Sequence, residues 1–109
     1  MYNQGDIVLI PVPFSDLSAS KRRPVLVISN DRYNNTSPDM IVIAITSNLV
    51  QPGIRIVQSD MVTGQLPKTS VIRSDKIYTL DQSIVVKSIG RISSAILTTA
   101  KADVIAHIS

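Results

Sequence analysis

A chain of 109 residues, 44% of them apolar and 17% charged, accounts for one compact domain over residues 1–109 and leaves no length for a second. Eleven Lys and Arg against eight Asp and no Glu give a net charge of +3, which favours a polyanionic partner. The lack of Cys and the single His107 exclude a Cys/His zinc site, a thiol nucleophile and paired-histidine catalysis, so any chemistry falls to Asp, Arg, Lys, Ser, Thr or Tyr.

Asp6 to Val12 is rich in β-branched residues and follows Gly5, the pattern of a strand that Pro11 and Pro13 should end. A polar loop is expected from Phe14 to Arg23, closing on three consecutive cations, Lys21-Arg22-Arg23. Pro24 to Ser29 reads as a strand covered on both faces, with Pro24 at its start, where a missing N–H least disturbs the ladder. A turn through Asn30 to Pro38 leads to a strand at Met40 to Ile45, punctuated by Thr46-Ser47-Asn48. Pro52-Gly53 introduces a short strand, Ile54 to Val57, and a connection over Ser59 to Thr69 leads to another at Ser70 to Asp75, which continues in alternation through Lys76 to Asp81. A further strand is expected at Ile84 to Lys87. The period then changes: Ile92, Ile96, Leu97, Ala100, Val104, Ile105 and Ile108 recur at spacings of three and four behind Ser93 or Ser94 as N-cap, which predicts a terminal helix.

These elements predict a mainly β fold with a C-terminal α-helix: a small, strongly curved antiparallel sheet or barrel of the SH3-like kind, the helix covering an open edge or face. No apolar run reaches the roughly 20 residues of a membrane span, and Gly5-Asp6 interrupts the first apolar segment, so a soluble, cytoplasmic protein is expected.

Lys21-Arg22-Arg23 is either a solvated charge run or a phosphate-binding group. Pro24 biases Arg23 to extended geometry, so its guanidinium should project from the fixed end of a strand with paired donors for a phosphate, whereas Lys21 and Arg22 on the loop mainly attract. Thr46-Ser47-Asn48 either satisfy the turn backbone or offer hydroxyls to a phosphate oxygen. Arg73 and Asp75, two apart on a strand and so on one face, either form a structural ion pair or divide proton transfer and charge stabilisation. His107 suits the C-terminal dipole of its helix and is not expected in catalysis. Asp60, Asp81 and Asp103 lack a ligand-rich spacing and no glycine-rich phosphate loop occurs, so neither a metal nor a nucleotide cofactor is expected. For base stacking, Phe14 and Tyr33 are the loop candidates.

Taken in order, Gly5-Asp6-Ile7-Val8, Arg23-Pro24-Val25-Leu26-Val27-Ile28-Ser29, Ile43-Ala44-Ile45-Thr46-Ser47, Ser70-Val71-Ile72-Arg73-Ser74-Asp75 with Thr79-Leu80-Asp81, and Ile89-Gly90-Arg91-Ile92-Ser93 resemble the MazF/PemK family of toxin ribonucleases over nearly the whole chain. The resemblance implies the toxin of a bacterial toxin–antitoxin pair: a homodimer, neutralised by a cognate antitoxin, that cleaves single-stranded RNA, usually messenger RNA, without a metal or other cofactor. It implies Arg23 and Thr46 as catalytic residues and Arg73 and Asp75 as the acid and base proposed in the PemK-type branch. The implied reaction is attack of the ribose 2′-hydroxyl on the adjacent phosphate, leaving a 2′,3′-cyclic phosphate and a 5′-hydroxyl. Phe14, Asp16, Lys21, Arg22, Ser47 and Asn48 are the residues expected to touch RNA.

One departure stands out. Family members commonly carry a Gly-Ser-Glu-Gln-like segment before the Arg-Pro pair, where this chain reads Phe14-Ser15-Asp16-Leu17-Ser18-Ala19-Ser20. The substrate sequence therefore does not transfer, and a role held elsewhere by a loop Glu or His is vacant or falls to Asp16. Two other readings keep the fold: a CcdB-like toxin that binds DNA gyrase, whose relatives lean on a Trp-containing helix end that this Trp-free chain lacks, and a non-catalytic RNA-binding barrel.

Overall fold

Near-continuous apolar runs give the central strands two buried faces, and the sheet is built around that property. The computed structural model describes residues 1–12 and 21–109. Among them are seven strands, β1 (Asp6–Val12), β2 (Lys21–Val27), β3 (Asp39–Thr46), β4 (Ile54–Ile56), β5 (Met61–Gly64), β6 (Ser70–Asp81) and β7 (Lys87–Ile92), and two α-helices, α1 (Asp31–Thr36) and α2 (Ser94–Ile108). All the strand pairs are antiparallel, in the order β4-β6-β3-β2-β1-β7-β5. The result is a mainly β half-barrel with a C-terminal helix, in line with the strongly curved antiparallel sheet of the SH3-like kind that the sequence predicts.

Ile7, Leu26, Ile43 and Ile72 point to one face and meet Ala100 and Val104 of α2. Val8, Val25, Val27 and Val42 point to the other, where Met40 and Leu80 complete a second cluster edged by Tyr2, Tyr78, Ile84 and Val85. Each such side chain contributes about 1.5–3 kcal/mol when fully removed from water. The two-sided cover predicted for the Pro24 strand is thus present, and Ser93 caps α2, its Oγ accepting from the Ile96 N–H at 3.3 Å.

Several boundaries differ from the sequence reading, each because a tertiary partner decides it. β1 spans Asp6–Val12 as expected, but Lys21, Arg22 and Arg23 belong to β2 rather than to a loop: Ile10 pairs with Arg23, Pro11 with Arg22 and Val12 with Lys21. β2 stops at Val27 rather than Ser29, because the Ile28 and Ser29 amides both turn to the Ile41 carbonyl, at 2.9 and 3.2 Å. The strand expected at Ile84 to Lys87 begins only at Lys87. Asp81 caps a 3₁₀ turn over Gln82–Ile84 by accepting from Ser83 N–H at 2.8 Å, and the chain joins β1 afterwards. β5 and the 3₁₀ turn Gln58–Asp60 lie inside the expected connection.

The helix α1 occupies part of the expected turn. Asn30 caps it, accepting from Tyr33 N–H at 2.8 Å, and Asn34, 0% exposed, donates to the Ser29 carbonyl at 3.0 Å and accepts from the Ser29 hydroxyl. The same hydroxyl oxygen accepts from Ile41 N–H at 2.9 Å, so one buried polar network ties α1 to β3. Asn34→Ala takes from the buried Ser29 its amide donor at the carbonyl and its acceptor at the hydroxyl, and should cost about 1–3 kcal/mol in a urea melt with the m-value unchanged.

Candidate active site

Arg23 and Thr46 lie at one end of the sheet, where β3 finishes and β2 begins. Val25 pairs with Ala44, so extending that register by two residues sets Arg23 across from Thr46, on the face opposite α2. A cleft of about 270 Å³ opens there between Arg23 and Thr46, with Ile10, Val12 and Ala44 as floor and Tyr78 on one side. Arg23 is exposed and makes no ion pair or hydrogen bond with the described residues. Half-buried Thr46 accepts from Asn48 N–H at 3.1 Å through Oγ1, which leaves its own hydroxyl proton to donate outward.

Adjacent residues of a strand point to opposite faces, so Arg22 serves a different cleft. This second space, about 230 Å³, is bounded by Arg22, Ser47, Lys68 and Ser70, and Arg23, Pro24 and Ile45 border both clefts. Among the described residues neither cleft is lined by a carboxylate. Lys21 stands exposed at the start of β2, paired with Val12. Asn48 lines neither cleft; its Oδ1 accepts from Val50 N–H at 3.1 Å and shapes the turn after β3. Phe14 and Asp16 lie outside the described residues.

Arg73 and Asp75 meet each other rather than the clefts. Arg73 donates from Nε to Asp75 Oδ1 at 3.0 Å and from Nη2 to Oδ2 at 2.9 Å, a bidentate pair with side chains 15% and 42% exposed, while Nη1 donates to Gln51 Oε1. The bond from Arg73 is the main reason that the Asp75 carboxyl sits below its usual range, and the same bond raises the already high pKa of Arg73. Asp75 is thus ionised at neutral pH. It borders a small hollow of about 110 Å³ together with Pro52, Ser74, Asp103 and His107. Ser74, 2% exposed, donates to Asp103 and lies 3.4 Å from His107 Nδ1. His107 therefore faces β6 rather than either cleft. No three His, Cys, Asp or Glu side chains among the described residues come together as a metal-binding group.

Two residues of the site escape a reading of the sequence. Tyr78 is one. Between the pairs Ala44–Arg73 and Ile43–Ile77 the strand β6 bulges by Ser74, Asp75 and Lys76, which reverses the alternation beyond it and turns Tyr78 to the Thr46 face. Lys68 is the other, carried by the connection that precedes β6; its one available signal is its charge.

A family model described as the PemK-like, MazF-like toxin of type II toxin–antitoxin systems matches residues 3–108. An endoribonuclease MazF of Staphylococcus saprophyticus is 35% identical over 85 residues, which cover 76% of this chain and 71% of that protein. Among solved structures, a MazE–MazF crystal structure from Deinococcus radiodurans superposes with a TM-score of 0.75 at 17% identity, covering 99% of this chain and 95% of the other. An endoribonuclease in complex with its cognate antitoxin from a mycobacterial species gives 0.70 at 20%, covering 97% and 90%. These two likenesses concern the fold. The family match over nearly the whole length, together with the sequence identity to the staphylococcal enzyme, makes this chain a member of the PemK-like, MazF-like toxins of type II toxin–antitoxin systems.

Proposed function

We propose that this toxin cleaves single-stranded RNA at a phosphate gripped between Arg23 and Thr46. The chain is an endoribonuclease of its family; the proposal concerns how it cuts. The observation that carries it is the cleft shared by an exposed guanidinium and an outward hydroxyl proton, with no ion pair to that guanidinium and no carboxylate in the lining among the described residues. Such a site attracts a phosphodiester, and RNA brings its own nucleophile. The ribose 2′-oxygen attacks phosphorus and loses its proton to a base, the phosphorus–O5′ bond breaks, and O5′ takes up a proton. The products are a 2′,3′-cyclic phosphate and a 5′-hydroxyl. Arg23 and Thr46 hold the negative charge that builds on the phosphorane, and Ser47, Asn48, Lys21, Arg22, Phe14 and Asp16 are assigned to the flanking RNA.

Proton transfer is assigned to Asp75 as base and Arg73 as acid. The Arg73 backbone lies opposite Ala44, on the Thr46 face, so rotation about its side-chain bonds carries it toward the phosphate. RNA must then draw the pair apart, since Asp75 bound to Arg73 is a weak base. Tyr78 is the competing proton carrier, because it borders the same cleft as Thr46. The protein works as a homodimer in the cytoplasm, where messenger RNA is found, held in check by an antitoxin; the complexes named for its structural neighbours support the antitoxin. No helix among the described residues is long and apolar enough to cross a membrane.

The test is a long RNA incubated with purified protein in excess EDTA, with the fragment ends mapped. Cyclic-phosphate and 5′-hydroxyl ends are expected, and intact RNA overturns the proposal. Asp75→Asn should lower kcat by about 10²–10⁴-fold. If Asp75→Asn is nearly silent and Tyr78→Phe shows that loss, proton transfer runs through Tyr78 instead.

A further inference from the structure

The cleft on the α2 side of the sheet does not end at Lys68. A further hollow, about 420 Å³, lies beside it and shares Leu66 and Pro67 as a common wall, and Lys87 stands on its far bank. The strand register joins the two independently: Lys87 pairs with Leu9, and Leu9 with Pro24, so one cross-strand row leads from Lys87 to two residues that line the cleft beneath Arg22. Arg22, Lys68 and Lys87 are exposed and none is in an ion pair among the described residues, where the ion-paired arginines are Arg73 and Arg91. No carboxylate lines either hollow among those residues.

Both banks of this trench are fixed. Ser70, 4% exposed, donates to the Lys68 carbonyl at 2.9 Å and holds the chain that carries that lysine. Gln65 N–H donates to the Ile89 carbonyl at 3.2 Å and ties the Leu66–Pro67 wall to β7. Cations that are neither paired nor opposed among the described residues, set around an apolar wall, suit a chain of regularly spaced negative charges whose sugars and bases rest against carbon.

We infer that Arg22, Lys68 and Lys87 form a phosphate track that seats the RNA strand on one side of the cut. This rests on the reading that places the scissile phosphate at Arg23. Arg22 and Arg23 are neighbours pointing to opposite faces at a strand start, so a strand of RNA crossing the end of the sheet passes from one to the other and on along the trench. That continuity favours RNA over an acidic peptide as the occupant.

The experiment measures binding rather than cleavage, using short and long mixed-sequence oligonucleotides of 2′-O-methyl RNA, which cannot supply the nucleophile, with wild type and the double variant Lys68→Gln/Lys87→Gln. The variant should lose most of the preference for the long oligonucleotide. Its log–log salt slope should flatten by about 0.7 for each phosphate contact removed. On cleavable RNA the loss should fall in KM rather than kcat. Unchanged binding at both lengths, or an equal loss at both, overturns the track. So does intact RNA binding with weakened binding of poly-L-aspartate, which marks the trench as the seat of an acidic peptide. A wild-type protein that binds these oligonucleotides with the expected length dependence but cuts no RNA removes the cleavage reading and leaves the track standing.

Discussion

Arg23→Ala should reduce kcat on a fluorogenic RNA by about 10²–10³-fold, the effect of removing one preorganised donor from a developing oxyanion. The melting temperature should stay close to wild type, because the side chain is exposed and has no partner among the described residues whose loss would be felt. Arg23→Lys keeps the charge but not the planar fork, so it should recover part of the rate and no more. Thr46→Val removes the second donor and should fall in the same direction, with a less-than-additive double variant because both groups act on one phosphate. Full activity in Arg23→Ala would mean that the phosphate lies elsewhere.

Gly90→Ala should be the most damaging single change to stability among those considered. Gly90 has φ +150° and pairs with Gly64, whose φ is +77°, where β5 closes against β7. A β-carbon on Gly90 would lie 2.2 Å from the Thr63 carbonyl oxygen and 2.8 Å from the Met61 methyl. The backbone conformation alone costs an alanine about 1–3 kcal/mol, and forcing the strands apart adds about as much again. Thermal unfolding should therefore drop by about 10 °C or more, with the β5 amides the first to lose protection from exchange. An unchanged melt would show that β5 yields without cost to the rest of the sheet.

What could be read along the chain and what could not divide on a physical line. β1, β3 and α2 were legible because their own side chains carry the signal: β-branched runs in the strands, and in α2 a three-and-four spacing behind Ser93, which does act as the cap. α1 and β5 were not. α1 is polar along its length and is anchored by buried Asn34, a contact that hydropathy does not register. β5 is four residues long, and its pairing with β7 depends on two glycines meeting across the ladder.

The candidate site shows the same division. Arg23 stood out because Pro24 follows it, and Thr46 because it ends an apolar strand. That Lys21 and Arg22 are strand residues depends on Pro11 and Val12 across the ladder, which lie in another element. Tyr78 was hidden for a different reason. Counting every second residue from Arg73 leads to Ile77 and Thr79, and only the pairing of Ile43 with Ile77 reveals that three residues have been pushed out of step. Local pattern identifies elements; register assigns their faces.

The pairing of Val12 with Lys21 also bears on how such a toxin diversifies. Val12 and Lys21 are partners on one rung, so replacing or lengthening the eight residues between them in the sequence need not shift Arg23, two positions further along the same ladder. On the reading proposed above, a protein with that segment exchanged would keep its blade in the same mount: it should cut different messages and leave the same ends.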